Sequence, residues 1–258
     1  MNAIVVIPTY NEADNIESLV RAVIGQPVGA HVLIVDDNSP DGTGAIANRL
    51  VQESDGRVHA LHRPSKSGLG RAYLAGFAWA LERGYEAMIE MDADFSHDPA
   101  YLPTLVEAAD GADADVVVGS RYLNGISVRE WPLRRILLSY FANYYVRAIT
   151  RLIVNDTTSG FRLYRRRVLE AIDLGSIRSN GYSFQVEMTF RAQIAGFRIV
   201  EVPIIFVERR AGHSKMSKRV IWESVWMPLK LRARERALRH RIGRPCGPPA
   251  PNSGGVRG

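Results

Sequence analysis

The sequence has 258 residues, of which 46% are apolar and 23% are charged, and these proportions favour a soluble protein with one large, well-buried domain. Its single cysteine, Cys246, excludes a framework of disulfides within the chain and fits a reducing, cytosolic setting. We expect the first residues to form a strand rather than a signal peptide, and no segment has the about 18–20 apolar residues that a membrane span needs.

The formal net charge of +6 is unevenly distributed along the chain. Residues 209–258 contain 13 Lys and Arg and two acidic residues, whereas residues 1–208 contain 20 Lys and Arg and 25 acidic residues. A basic segment attached to a mildly acidic body is typical of a protein that meets a polyanion, either a nucleic acid or an anionic membrane surface.

Short β-branched runs alternate with segments of helical periodicity over the first 120 residues. The pattern predicts strands at residues 3–7, 31–35, 57–61, 86–90 and 115–119, with helices near 13–24, 41–54, 69–83 and 99–110. Such alternation predicts an α/β fold in which a mainly parallel sheet carries helices on both faces.

The second half of the chain is less regular. It predicts a helix at 132–153, a turn and strand at 157–164, a helix at 183–196, a strand at 197–208, a polar loop at 209–217 and a basic amphipathic helix at 218–241. The composition from residue 243 onward is rich in Pro and Gly and predicts a disordered tail. We therefore divide the chain into a catalytic domain (1–217), a basic C-terminal helix (218–242) and a tail (243–258).

Four polar clusters follow predicted strands directly: "PTYNE" (8–12), "DDNSPDGT" (36–43), "MDADFSH" (91–97) and "GSRY" (119–122). In open parallel sheets, ligands bind at the carboxyl ends of the strands. The four clusters therefore predict one binding site along one edge of the sheet.

Asp92 and Asp94 are separated by one residue at the end of a predicted buried strand. Two adjacent carboxylates repel each other unless a cation lies between them, and Mg²⁺ or Mn²⁺ takes oxygen ligands together with substrate phosphates. The alternative is a solvated turn in which Asp98 caps the next helix. His97 is a further candidate ligand, although a lone histidine in a loop often has no such role.

The other clusters contain carboxylates and cations suited to a nucleotide. Asp37 is placed to hydrogen-bond a base or ribose, whereas Asp41 favours a helix-capping role. Neither a dinucleotide-binding nor a P-loop glycine motif is present, which counts against dehydrogenases and P-loop kinases.

Several cations follow the acidic clusters in the chain. Arg121 ends the fifth predicted strand, and Arg135 and Ser139 share one helix face, where they could hold one phosphate. Arg209, Arg210 and Lys215 lie on the polar loop, which could close over a diphosphate. Taken singly, each cation could instead be an ordinary surface residue.

In this order, the motifs resemble those of family 2 glycosyltransferases with the GT-A fold, and more closely the polyprenol (dolichol) phosphate mannosyltransferases. They cover almost the whole predicted catalytic domain: "VIPTYNEADNI", "IVDDNSPDGT", "KSGLGRAYLAGF", "MDADFSHDP", "GSRY", "TTSGFRLY" and "RRAGHSKMS".

The resemblance implies a role for each matched residue. The nucleotide would be contacted by Pro8, Tyr10, Glu12, Val35 and Asp37. Asp92, Ala93 and Asp94 would hold the metal and the sugar diphosphate. Arg121, Arg209 and Lys215 would contact donor or acceptor phosphates. Ser96 stands where many relatives have a glutamine, and it is the candidate third metal ligand.

The implied reaction transfers mannose, with inversion, from GDP-mannose to a polyprenyl monophosphate at the cytoplasmic face of the membrane. The basic helices at 132–153 and 218–241 fit an anionic membrane surface, with Trp222 and Trp226 at the headgroup level or in the core. Many relatives have membrane helices or a separate membrane-anchoring partner. Two alternatives remain open: a transferase that uses a UDP-sugar such as UDP-glucose, and a non-catalytic nucleic-acid-binding protein. We expect no nucleic-acid partner.

Overall fold

The computed structural model describes residues 1–129, 131–207 and 218–242, and only the backbone of residues 218–224. Within these ranges there are nine strands: β1 (Ala3–Thr9), β2 (His31–Asp36), β3 (Val58–His62), β4 (Ala87–Glu90), β5 (Val116–Ser120), β6 (Val128–Arg129), β7 (Arg162–Arg165), β8 (Ile199–Pro203) and β9 (Phe206–Val207). The α-helices are α1 (Ala13–Ile24), α2 (Thr43–Glu53), α3 (Leu69–Glu82), α4 (Leu102–Gly111), α5 (Leu133–Thr150), α6 (Arg166–Ala171), α7 (Tyr182–Ile194) and α8 (Lys218–Arg241). Short 3₁₀ turns span Pro99–Tyr101 and Leu174–Ser176.

Seven strands form one sheet in the order β3-β2-β1-β4-β7-β5-β8. All neighbours pair in parallel except β7, which is antiparallel to both β4 and β5. The strand order reverses between β1 and β4, so a crevice opens at the carboxyl ends of these two strands. The predicted mainly parallel α/β sheet is confirmed.

The sheet separates two hydrophobic cores, because alternate residues of each strand point to opposite faces. In β1, Ile4 and Val6 pack with α3, α6 and α7, whereas Val5 and Ile7 pack with α1, α2 and α4. Gly76 allows α3 to lie close to the sheet, since a Cβ at this position would overlap the Val6 side chain. This close packing fixes α3 beneath the crevice.

The second half differs from the sequence prediction in two places. The single strand predicted at 197–208 is divided, because the chain leaves the main sheet after Pro203 and β9 pairs with β6 in a separate two-stranded sheet. The short helix α6, which follows β7 directly, was not predicted.

The C-terminal helix α8 packs on the rest of the protein. Arg239 Nη1 donates to the Ile194 carbonyl at 2.8 Å, and the Tyr145 hydroxyl donates to the Val225 carbonyl at 2.7 Å. No helix in the described ranges is both long and apolar enough to cross a bilayer. The predicted tail at 243–258 lies outside the described residues, and the domain boundaries stay a prediction.

Candidate active site

A cavity of about 390 Å³ opens at the strand-order reversal. It collects residues from the ends of β1, β2, β4 and β5, from the loop before β7, and from α5. The predicted site residues that line it are Pro8, Tyr10, Glu12, Asp37, Asp92, Ala93, Asp94, Ser96, Arg121 and Arg135. The expectation that the polar clusters meet at one sheet edge is thus confirmed.

The acidic pair follows β4 in a tight turn, in which Phe95 has a left-handed φ of 59°. Asp92 Oδ1 accepts a hydrogen bond of 3.0 Å from the Tyr73 hydroxyl, and Asp94 Oδ1 accepts one of 3.1 Å from the Ser96 amide. Both carboxylates line the cavity. Asp98 accepts a bond of 2.9 Å from the Ala100 amide, which is the capping role that the solvated-turn alternative gave it.

His97 is buried beside the acidic pair, where its ring stacks on Phe161 at 5.2 Å between centroids. Its Nδ1 accepts a long hydrogen bond of 3.4 Å from the Asp92 amide. Burial lowers the pKa of His97 to about 4, so the imidazole is neutral at physiological pH.

A second buried ionisable group, Glu90, precedes the acidic pair at the end of β4. Burial raises its pKa to about 8, against the opposing influence of the Arg162 guanidinium on β7. The Glu90 carboxyl is therefore mostly protonated at neutral pH, so it adds little negative charge beneath Asp92 and Asp94.

The ends of β1 and β2 form the other side of the cavity. Asp37 makes an ion pair of 2.7 Å with Arg63, and burial raises the Asp37 pKa despite this cation. The Lys66 ammonium lies 3.9 Å from the centroid of the Tyr10 ring. Lys66 lines the cavity but was absent from the predicted set, although its loop follows β3 at the same sheet edge. This position after β3 is the sequence feature that could have identified Lys66 as a site residue.

Asp41 has the capping role that was favoured for it. Its Oδ1 accepts from the Thr43 amide at 3.0 Å, and its Oδ2 accepts from the Ala13 amide at 3.0 Å. One carboxylate therefore serves the N-termini of α1 and α2.

Two predicted site residues do not line the cavity. Val35 is buried in β2, and Ser139 on α5 shares a hydrogen bond of 2.8 Å with the Tyr122 hydroxyl. Arg135, one turn before Ser139, does line the cavity and lies 4.1 Å from the Trp131 ring centroid. Arg209, Arg210 and Lys215 lie outside the described residues.

Arg121 lines the cavity, but it is not the solvated surface residue of the alternative interpretation. Its Nε and Nη2 form a bidentate ion pair with Asp156 at 2.6 and 2.7 Å, and both residues are buried. Each charge holds the other in its ionised form: the pKa of Arg121 is raised and that of Asp156 is lowered, in both cases against burial.

An open α/β sheet with a crevice at its strand-order reversal is the type of fold that binds nucleotides and related ligands at that point. The model of Glycosyl transferase family 2 matches residues 4–173, and the chain belongs to this family.

Two curated relatives are closely similar over most of their length. The chain is 52% identical to polyprenol monophosphomannose synthase of Mycolicibacterium smegmatis over 223 residues, which cover 86% of this chain and 84% of the relative. It is 47% identical to undecaprenyl-phosphate mannosyltransferase of Micrococcus luteus over 245 residues, which cover 94% of this chain and all of the relative.

Solved structures confirm the GT-A type of fold. Glucosyl-3-phosphoglycerate synthase from Mycobacterium tuberculosis, crystallised with Mn²⁺, UDP-glucose and phosphoglyceric acid, superimposes with a TM-score of 0.64 at 18% identity. The match covers 89% of this chain and 80% of that chain.

Proposed function

We propose that the chain transfers mannose, with inversion, from GDP-mannose to a polyprenyl monophosphate, giving polyprenyl phosphate mannose and GDP. The observation that carries this proposal is a cavity lined both by the Asp92–Asp94 pair and by Arg121 and Arg135. The acidic pair suits a metal-bound sugar diphosphate, and the arginines suit a second phosphate group. Both named relatives carry mannose transfer to a polyprenyl or undecaprenyl phosphate in their names.

The nucleotide binds, in this proposal, at the ends of β1 and β2. Pro8, Tyr10, Glu12, Val35 and Asp37 form that subsite, Val35 through its backbone because its side chain is buried. Asp92, Ala93 and Asp94 hold the diphosphate end of the donor.

The acidic pair fits Mg²⁺ or Mn²⁺, because two carboxylates at an open cavity leave coordination positions for water and diphosphate oxygens. Ser96, buried next to Asp94, is the proposed third protein ligand. A bound divalent ion would neutralise charge on the departing diphosphate.

The acceptor requires placement more than deprotonation. A phosphate monoester has a second pKa of about 6, so it is a dianion at neutral pH. One of its oxygens forms the new bond to the anomeric carbon, and the bond between that carbon and the GDP oxygen breaks. Arg121 and Arg135, which line the cavity, position the acceptor phosphate, and Ser139 contributes only through its hydrogen bond with the Tyr122 hydroxyl. Arg209 and Lys215 contact the phosphates in the same proposal, with Lys215 stabilising the leaving diphosphate.

A peripheral position on the cytoplasmic face of the plasma membrane gives the protein access to its lipid acceptor. Helix α5 supports this position, because it exposes a row of large apolar side chains: Leu133, Leu137, Leu138, Tyr140, Phe141 and Tyr144. Trp226 on α8 is also half exposed. The arginines of α5 and α8 suit an anionic leaflet. A separate membrane-anchoring protein is a further proposed partner.

Donor binding tests the nucleotide part of the proposal without any lipid. Calorimetric titration of the full chain with GDP-mannose and with UDP-glucose, each with Mn²⁺, should give tight binding for GDP-mannose and weaker binding for UDP-glucose by about ten-fold or more. The reverse preference would favour a UDP-sugar-dependent transferase, and failure to bind either donor would contradict the proposed function.

A further inference from the structure

The Arg121 guanidinium is held on one edge only. Nε donates to Asp156 Oδ2 at 2.6 Å, and Nη2 donates to Asp156 Oδ1 at 2.7 Å and to Thr158 Oγ1 at 2.8 Å. Among the described residues, no hydrogen bond uses Nη1. A guanidinium has five N–H donors in a fixed plane, so fixing one edge also fixes the direction of the remaining nitrogen.

The surroundings of Arg121 restrict it further. Its guanidinium carbon lies 5.4–5.7 Å from the ring centroids of Tyr122, Trp131 and Phe206. Trp131 and Phe206 line the cavity together with Arg121 and Thr158. Aromatic rings therefore surround the guanidinium, and the remaining side opens to the cavity that the acidic pair also lines.

Asp156 is itself anchored from a different strand. Its amide donates to Glu201 Oε1 at 2.9 Å, and the neighbouring Asn155 amide donates to Glu201 Oε2 at 2.8 Å. Glu201 lies on β8 and makes no hydrogen bond with Arg121 in the described part of the chain. Glu201 thus anchors the loop that contains Asn155 and Asp156, whereas the Asp156 carboxylate aligns Arg121.

We propose that Asp156 is a positioning residue for transfer, which aligns Arg121 so that Nη1 binds the acceptor phosphate. This inference rests on the function proposed above. The alternative is that the buried pair only stabilises the fold, in which case its loss would affect donor and acceptor alike.

The two carboxylates offer a matched pair of variants. Asp156→Asn keeps the shape but removes the charge that aligns Arg121, so KM for polyprenyl phosphate should rise about ten-fold while KM for GDP-mannose stays within about two-fold. Glu201→Gln weakens the loop anchor without touching Arg121, so it should lower the melting temperature and leave the acceptor KM within about two-fold of the wild-type value. Equal effects of the two variants on both substrates would overturn the proposal.

A milder variant covers the case in which Asp156→Asn does not fold. Thr158→Val removes the half-buried hydroxyl that accepts from Nη2 at 2.8 Å and donates a long bond of 3.4 Å to Asp156, while it leaves the Arg121–Asp156 ion pair in place. The acceptor KM should then rise about three-fold with an unchanged donor KM. An unchanged acceptor KM in a folded Thr158→Val protein would overturn the assignment.

A spectroscopic measurement separates this inference from the proposed function. The Arg121 Nε–H resonance, assigned by its loss in Arg121→Lys, should be protected from exchange and should shift when inorganic phosphate is added. Both properties should persist in Glu201→Gln and disappear in Asp156→Asn. If the wild type transfers no sugar but shows this Asp156-dependent shift, the proposed function fails, whereas the alignment of Arg121 by Asp156 for phosphate binding stands. A wild-type resonance that is insensitive to phosphate would overturn the role itself.

Discussion

The hydroxyl of Tyr73 donates a hydrogen bond of 3.0 Å to Oδ1 of Asp92, and so ties helix α3 to the acidic pair after β4. The Tyr73 side chain is fully buried, with its ring parallel to that of Phe184 at an interplanar angle of 4°. Burial and the nearby carboxylates raise the pKa of Tyr73, which therefore stays protonated as a donor. The orientation of the Asp92 carboxylate is thus determined by a rigid element below it.

Tyr73→Phe should weaken divalent-ion binding about ten-fold, because a partner that orients a metal-binding carboxylate contributes this much to affinity. Calorimetric titration with Mn²⁺ in the presence of GDP measures the change. Tyr85→Phe is the control, since its hydroxyl bonds His31 at the other end of the sheet. Equal affinities of Tyr73→Phe and the wild type would show that the bond is not part of a metal site.

Asp94→Asn should retain the fold and lower the rate of mannose transfer by about 100-fold or more, because one of the two proposed carboxylate ligands is lost. Circular dichroism and a transfer assay measure both properties. The control is Asp98→Asn, in which asparagine can still cap the turn that begins at Pro99. Near-normal transfer by Asp94→Asn would refute its assigned role.

Glu90→Gln should stabilise the protein at pH 8 and have little effect at pH 5. The folded state keeps the Glu90 proton up to about pH 8, whereas a solvated glutamate has a pKa of 4.5, so wild-type stability falls as pH rises through this window. Glutamine resembles the protonated acid and removes that loss, which corresponds to about 3 kcal/mol between pH 5 and pH 8. Urea unfolding at the two pH values measures it, and a difference between variant and wild type that does not change with pH would contradict the shift.

Phe141→Asp should weaken binding to anionic vesicles about ten-fold without changing GDP-mannose binding, because it places a charge in the apolar row of α5. Vesicle sedimentation provides the measurement. Ile153→Asp is a matched control, since both wild-type side chains are 62% exposed but Ile153 follows α5 rather than belonging to the row. Equal losses in the two variants would exclude a specific docking role for α5.

The sequence predicted best those features that depend on the periodicity and spacing of residues close together in the chain. Strands of β-branched residues alternate with helices, so the parallel sheet and the meeting of Asp37, Asp92 and Arg121 at one edge followed from general rules of α/β folds. The capping of α2 by Asp41 and of the turn at Pro99 by Asp98 was equally local, because each uses an amide only two residues away, whereas the bond of Asp41 to the Ala13 amide was not predicted.

The sequence pattern did not predict which side chains far apart in the chain pair with each other. Arg121 and Asp156 are 35 residues apart, and nothing in the chain indicates that this aspartate holds Nε and Nη2 of the guanidinium. Burial can be equally hard to predict from the sequence: Glu187, on α7, is buried in an ion pair of 2.6 Å with Arg191 one turn further along the helix.

Transfer of labelled mannose to a lipid phosphate tests the proposed function most directly. The purified chain would be incubated with labelled GDP-mannose, Mg²⁺ and a polyprenyl phosphate in detergent, and the label in the organic extract would be counted, with UDP-glucose and Asp94→Asn in parallel. We predict label in the lipid from GDP-mannose only, and its loss in Asp94→Asn. Label from UDP-glucose alone, or equal label in the variant, would contradict the account.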